Sequence, residues 1–262
     1  MRLQAGCEIV VEAEADCAVV AMLRPRSNAA QWLVSETWRF TPQVRPSEYI
    51  DGFGNVCQRF IVPRGRMTIR AELEVETDAD IATPGTAPAT APALLPPDTL
   101  QYLLPSRYCP SDRLFDDVLD IVGDASPGAG QVEAICGWIR RHVVYRYGES
   151  NASTDAIETM RHGAGVCRDY AHVGIALCRA LRLPARMVVG YLYGLEPMDL
   201  HAWFEVWLDG RWYTCDATQA DPRGGRIVVA IGRDAADVAF LTNHGGLSTV
   251  DMQVWVGLTP AG

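Results

Sequence analysis

Residues 201–217 constrain this chain more tightly than any other stretch. His201-Ala202-Trp203-Phe204-Glu205-Val206-Trp207-Leu208 and Arg211-Trp212-Tyr213-Thr214-Cys215-Asp216-Ala217 flank the dipeptide Asp209-Gly210. Asp-Gly between two strand-like runs predicts a two-residue hairpin turn, whose central residues both need positive φ. Such a turn dictates the register: Leu208 faces Arg211, Trp207 faces Trp212, Glu205 faces Thr214 and Trp203 faces Asp216. Side chains alternate along a strand, so His201, Trp203, Glu205 and Trp207 share one face. His201 is then one diagonal step from Asp216 on that face. Diagonal neighbours have Cβ atoms about 7–8 Å apart or slightly less, within reach of an imidazole–carboxylate hydrogen bond. A slip of one residue would send the two side chains to opposite faces.

An imidazole oriented by a carboxylate needs a nucleophile, and Cys167 is the candidate. It follows Gly163-Ala164-Gly165-Val166, a loop whose glycines let backbone approach a substrate closely. A helix is predicted from Cys167 to about Leu181, with Tyr170, Val173, Leu177 and Leu181 on one stripe, Ile175 and Cys178 widening it, and Pro184 ending it. At a helix start the unpaired N–H groups and the dipole favour a thiolate, and the cysteine's own N–H can donate to an oxyanion. Taken singly, each residue has an ordinary structural role: a small packed cysteine, a strand histidine, a hairpin-end charge. Together they predict a triad of Cys167 as nucleophile, His201 as base and Asp216 as orienter. Tyr147 is a further candidate for the oxyanion site or cleft, and Trp203 for the cleft wall. Asp169 is expected to make local hydrogen bonds, since a bare carboxylate beside the thiolate would oppose its ionisation. His162, Cys167 and His172 lie five apart, which fits neither a helical i,i+4 pair nor a CxxC knuckle; no metal and no cofactor is expected.

The rest of the chain reads as scaffold. Residues 6 to about 77 carry short alternating runs: 8–14, 17–23, 32–40, 56–62 and 67–75, the last setting Ile69, Ala71, Leu73 and Val75 against Arg70, Glu72 and Glu74. Period-two runs broken by turn residues predict a β-sandwich-like domain over 1–77. Residues 78–98, rich in Pro, Ala and Thr, predict a linker. Residues 99–262 then form a second, catalytic domain of α+β class. It holds helices over about 114–122, 130–144 and 153–162, then that of Cys167, and strands at 185–192, 201–208, 211–217 and 226–231, with 250–256 as a fifth.

Composition excludes more than it selects. The chain has 262 residues, is 48% hydrophobic and 21% charged, and carries a net charge of −9. A packed core follows, and no basic surplus exists to neutralise phosphates, so no nucleic-acid partner is expected. No export signal or apolar run of about 18 residues is seen, which predicts a cytoplasmic protein with no membrane partner. The eight cysteines form no CxxC pair and are expected reduced, all but Cys167 buried as small apolar residues.

The segments Gly163 to His172, His201 to Val206 and Trp212 to Thr218, with Leu183-Pro184-Ala185-Arg186 and Val188-Val189-Gly190-Tyr191, resemble the transglutaminase-like superfamily of cysteine-protease type. Asp51-Gly52-Phe53-Gly54-Asn55 is similar to the N-terminal β-domain of many bacterial members. The resemblance implies a papain-like core, with the nucleophile's helix packed on an antiparallel sheet. It also implies Cys167, His201 and Asp216 in the roles given above. Such an enzyme would work on amide bonds through a thioester. Resolution by water makes it a peptidase or amidase acting on a peptide or amide substrate; resolution by an amine makes it a transglutaminase. A non-catalytic interaction module keeping the fold is the remaining alternative. The loop Gly194 to Leu200 is short, which bears on the mouth of the cleft.

Overall fold

The computed structural model describes residues 1–259. In chain order the strands and α-helices are β1 (Arg2–Ala13), β2 (Cys17–Arg24), β3 (Gln31–Thr41), β4 (Ser47–Ile50), β5 (Val56–Val62), β6 (Gly65–Thr77), α1 (Phe115–Val122), α2 (Ala129–His142), β7 (Val144–Tyr145), α3 (Ala156–His162), β8 (Ala164–Gly165), α4 (Cys167–Ala180), β9 (Ala185–Leu192), β10 (His201–Leu208), β11 (Arg211–Cys215), β12 (Arg226–Gly232), β13 (Leu241–His244) and β14 (Leu247–Leu258).

The architecture is α+β, with a β-rich N-terminal region ahead of a helix-on-sheet core. Two four-stranded sheets, ordered β14-β1-β6-β3 and β13-β2-β5-β4, bury the alternate residues of β1, β2 and β6. The core sheet is antiparallel and ordered β11-β10-β9-β12. Among the described residues no helix is long and apolar enough to cross a membrane.

One expectation needs correction. Residues 250–256 do not extend the core sheet. They lie in β14, which pairs along β1, while β13 pairs with β2. The sandwich is therefore completed by residues 241–258 and is not confined to 1–77. Alternation identifies a strand but not its partner. Here Trp255 lies across Gly6, whose missing side chain leaves room for the indole, and the Arg70 guanidinium covers the ring at 4.8 Å. The 78–98 linker is bonded to the second unit: Asp78 O accepts from Gly225 N–H (3.0 Å) and Ala87 O from Ala129 N–H (2.9 Å).

The seam between the two units runs along β12, an edge strand whose outward backbone groups must be satisfied. Three side chains from the β-region do this. Thr77 Oγ1 donates to Arg226 O (2.8 Å). Gln31 Nε2 donates to Val228 O and its Oε1 accepts from Val228 N–H, both at 2.7 Å. Asn55 does the same for Ile231, both bonds at 2.8 Å. A register shift between Val228 and Ala230 explains the spacing, because the extra residue moves the next outward-facing pair from 230 to 231. The turn cluster Asp51–Asn55 now has a physical purpose. Asp51 accepts from Phe53 N–H, Asn55 N–H and Asn55 Nδ2, and so aims the Asn55 amide at β12.

Candidate active site

α4 begins at Cys167, with Val166 as the extended N-cap residue. Valine has no side-chain oxygen to cap with. Asp169, the third helical residue, reaches back instead, its Oδ2 accepting from Val166 N–H at 2.9 Å. The same carboxylate is fully buried, accepts from Ser150 Oγ at 2.6 Å and pairs with Arg168 at 3.0 Å. It is thus committed to local bonds, as expected, and also ties down the 150–151 loop through Arg168. Cys167 itself is half-buried. As the first helical residue, its N–H has no acceptor within the helix. Further along α4, Gly174 meets the Phe204 ring, where a Cβ would clash. That close approach seats the helix on β10.

The hairpin has the expected register. Asp209 and Gly210 have φ of 44° and 81°, a two-residue turn with both centres left-handed. Leu208 faces Arg211, Trp207 faces Trp212, Glu205 faces Thr214 and Phe204 faces Cys215. One step beyond, His201 Nε2 meets Asp216 Oδ2 at 2.8 Å, which leaves Nδ1 for the Cys167 side. His201 is 1% exposed. Burial works against an imidazolium there, but the hydrogen bonds and charges of Asp216 and Cys167 outweigh it and push His201 up to about 9. Burial also opposes the Asp216 carboxylate, yet His201, Arg226 and Thr218 together hold it well below the usual carboxylate range. Thr218 contributes its N–H (3.0 Å) and Oγ1 (2.6 Å) to Oδ1. Arg226 contributes Nη2 to Oδ2 at 2.8 Å.

Two tyrosines complete the cleft. β7 and β8 pair in parallel, Tyr145 opposite Gly165, which carries Tyr145 to the start of α4. Its hydroxyl lies beside the Cys167 backbone N–H, and burial together with the Cys167 charge raises its pKa. Tyr147 packs edge-on against Tyr145 at 5.7 Å and donates to Asp199 Oδ2 at 3.4 Å. Tyr145, Tyr147, Leu195, Pro197, His201 and Thr218 bound a cleft of about 260 Å³. A larger cavity of about 400 Å³ lies behind Asp216, between α2 and the 81–85 strap. His201 is not on its wall, whereas it lines the smaller cleft.

Of the residues singled out from sequence, the fold brings Cys167, His201, Asp216 and Tyr147 together. Trp203 does not line the cleft. It is 1% exposed and sits behind His201, ring to ring at 6.0 Å, with the Arg226 guanidinium over the indole at 4.9 Å from the ring centre. His172 is buried against Tyr108, its Nε2 accepting from Ala235 N–H, and His162 is exposed at the end of α3, so neither joins Cys167. Sequence reading missed Tyr145, Thr218 and Arg226. Tyr145 is two residues from Tyr147, and Asp216-Ala217-Thr218 has the spacing of a local Asx turn, so both carried a signal. Arg226 carried none.

Both halves of the chain are similar to known proteins. Residues 118–217, which contain all three triad candidates, match the family model described as the transglutaminase-like superfamily, and residues 12–76 match that of the bacterial transglutaminase-like N-terminal region. A crystal structure from Cytophaga hutchinsonii, described as a "putative cysteine protease", is 32% identical and superposes with a TM-score of 0.93 over 98% of this chain and 90% of that one. An uncharacterized protein of Mycobacterium leprae is 26% identical over 91% of this chain and 90% of its own length. One from Mycobacterium bovis is 30% identical over 82% and 77%.

Proposed function

We propose, since the chain belongs to the transglutaminase-like superfamily, that it is a thiol-dependent acyl-transfer enzyme that cleaves amide bonds of a peptide or related amide. The observation that carries this reading is the His201–Asp216 contact at 2.8 Å, in the register that turns His201 Nδ1 toward the thiol at the head of α4. The described likeness of the Cytophaga protein to a cysteine protease supports hydrolysis as the outcome.

The chemistry follows from the parts. Cys167 Sγ, ionised beside the His201 imidazolium, attacks the amide carbonyl and forms the C–S bond. The C=O pair moves onto oxygen, where the Cys167 N–H and the Tyr145 hydroxyl can donate to it. On collapse His201 Nδ1 gives its proton to the departing amine and the C–N bond breaks, leaving a thioester. Water then attacks the thioester with neutral His201 as base, the acid departs and the thiol is restored. Asp216 keeps the imidazole oriented and compensates its charge at each stage.

The test is product analysis on a library of peptide and glutamine-containing amides, with and without excess primary amine, beside iodoacetamide labelling. Free acid and released amine in both conditions, lost in Cys167→Ala, are expected. Incorporation of the added amine would move the reading to a transglutaminase. Labelling of Cys167 no faster than an ordinary buried thiol, with no activity lost in Cys167→Ala, would sink the enzyme reading in favour of an interaction module.

A further inference from the structure

Building on the triad reading, we propose that Arg226 is a positioning residue of the site, whose guanidinium shares the Asp216 carboxylate with His201 and so limits how firmly that carboxylate can hold a proton on the imidazole. His201 Nε2 and Arg226 Nη2 both meet Asp216 Oδ2, each at 2.8 Å. The two cationic groups are therefore no farther apart than twice that contact. Arg226 is held through its Nε, its Nη2 and its backbone carbonyl, while its Nη1 is buried without a hydrogen-bond partner. Its Nε donates to Arg223 O at 3.1 Å, its guanidinium lies 4.9 Å from the Trp203 ring centre, and its backbone carbonyl is held by Thr77. Its side chain and that of Asp216 are each only 5% exposed.

A structural ion pair does not account for this arrangement. Buried ion pairs add little net stability, because desolvation offsets the attraction. Asp216 is also already held through its other oxygen by the Thr218 N–H and hydroxyl. What a guanidinium adds, and Thr218 cannot, is positive charge. The ionisable groups facing His201 are Cys167 from α4, Asp199 from the loop before β10 and Asp216 after β11. All of these are acidic. Arg226, from β12, is the one cation among the described residues that touches the same carboxylate. Without it the anions would stabilise the imidazolium so strongly that His201 would be a poor acid toward the leaving amine near neutral pH. The cation comes from the strand that the β-region covers, so docking of that region and the proton affinity of the triad share one element.

The experiment needs no substrate. The protein is labelled with ¹³C at histidine Cε1, and the His201 signal is identified as the one of five histidines lost in His201→Gln. Its midpoint is then read against pH. In Arg226→Gln, and in Arg226→Met, which keeps an apolar stem on Trp203, the His201 midpoint is expected to rise by about one to two pH units. Arg226→Lys keeps the charge but cannot reach both Arg223 O and Asp216, and its midpoint is expected between wild type and the neutral variants. An unchanged or lowered midpoint in a neutral variant whose other histidine signals stay native overturns the proposal. Failure of both neutral variants to fold, with a wild-type midpoint in Arg226→Lys, overturns it in favour of a purely structural pair. Iodoacetamide labelling of Cys167 in the same samples tests the triad reading separately, so loss of one does not mask loss of the other.

Discussion

Replacing Asn55 by alanine removes both bonds that its amide makes to the Ile231 backbone, each 2.8 Å long. Asn55 is buried, so the N–H and C=O of Ile231 are left unpaired under the β-region. A buried polar group without a partner costs about 1–3 kcal/mol. Two such groups, eased in part by water entering the vacated volume, give an expected loss of about 3 kcal/mol. For a chain of this size that is a fall in Tm of roughly 6–12 °C. Gln31→Ala removes the equivalent pair at Val228 and is expected to cost a similar amount. Since both amides cover one edge, the double variant should lose less than the two singles combined, because the first substitution already loosens the seam. Urea unfolding followed by tryptophan fluorescence and far-UV circular dichroism measures all three. Losses below about 0.5 kcal/mol for each single variant would refute the idea that side-chain amides complete the β12 edge.

The remaining expectations concern the site and its supporting helix. Tyr145→Phe keeps the ring and removes the hydroxyl beside the Cys167 N–H; turnover should fall by about 10²–10³-fold, with Cys167 labelling retained, and full activity would exclude an oxyanion role. His172 is buried, and burial, helped by the Arg168 charge, lowers its pKa to about 3. The unfolded chain then binds a proton below about pH 6.5 that the folded chain refuses. Its contribution is complete above pH 6.5 and is lost as pH falls toward 3, at up to about 1.4 kcal/mol per pH unit. His172→Gln, which removes that titration and keeps an acceptor for Ala235 N–H, should flatten the urea midpoint between pH 6.5 and 4 relative to wild type. Parallel curves would show that His172 does not carry this dependence.

The parts of the fold legible in the sequence are those governed by short-range rules. Asp209-Gly210 demanded a turn with two positive φ angles, and that turn carried the register from Leu208–Arg211 back to His201 and Asp216. The helix after Cys167 announced itself by its apolar spacing and by Pro184 beyond its end. β14 was seen as a strand but assigned to the wrong sheet, because its partner β1 begins about 245 residues earlier and alternation says nothing about pairing across such a distance. The Asp51–Asn55 cluster was legible as a turn, while its purpose, an amide aimed at Ile231, depended on a strand far along the chain.

The candidate site divides along the same line. The sequence by itself determined the place of Cys167 at a helix start and the common face of His201 and Asp216, since both follow from backbone periodicity over a few residues. Only the tertiary structure decided that Tyr145 lies at the Cys167 N–H, that Trp203 backs the imidazole instead of lining the cleft, and that Arg226 shares the Asp216 carboxylate. Each of those contacts joins separate elements. Their geometry is set by how helix, sheet and seam pack together, and local periodicity carries no record of it.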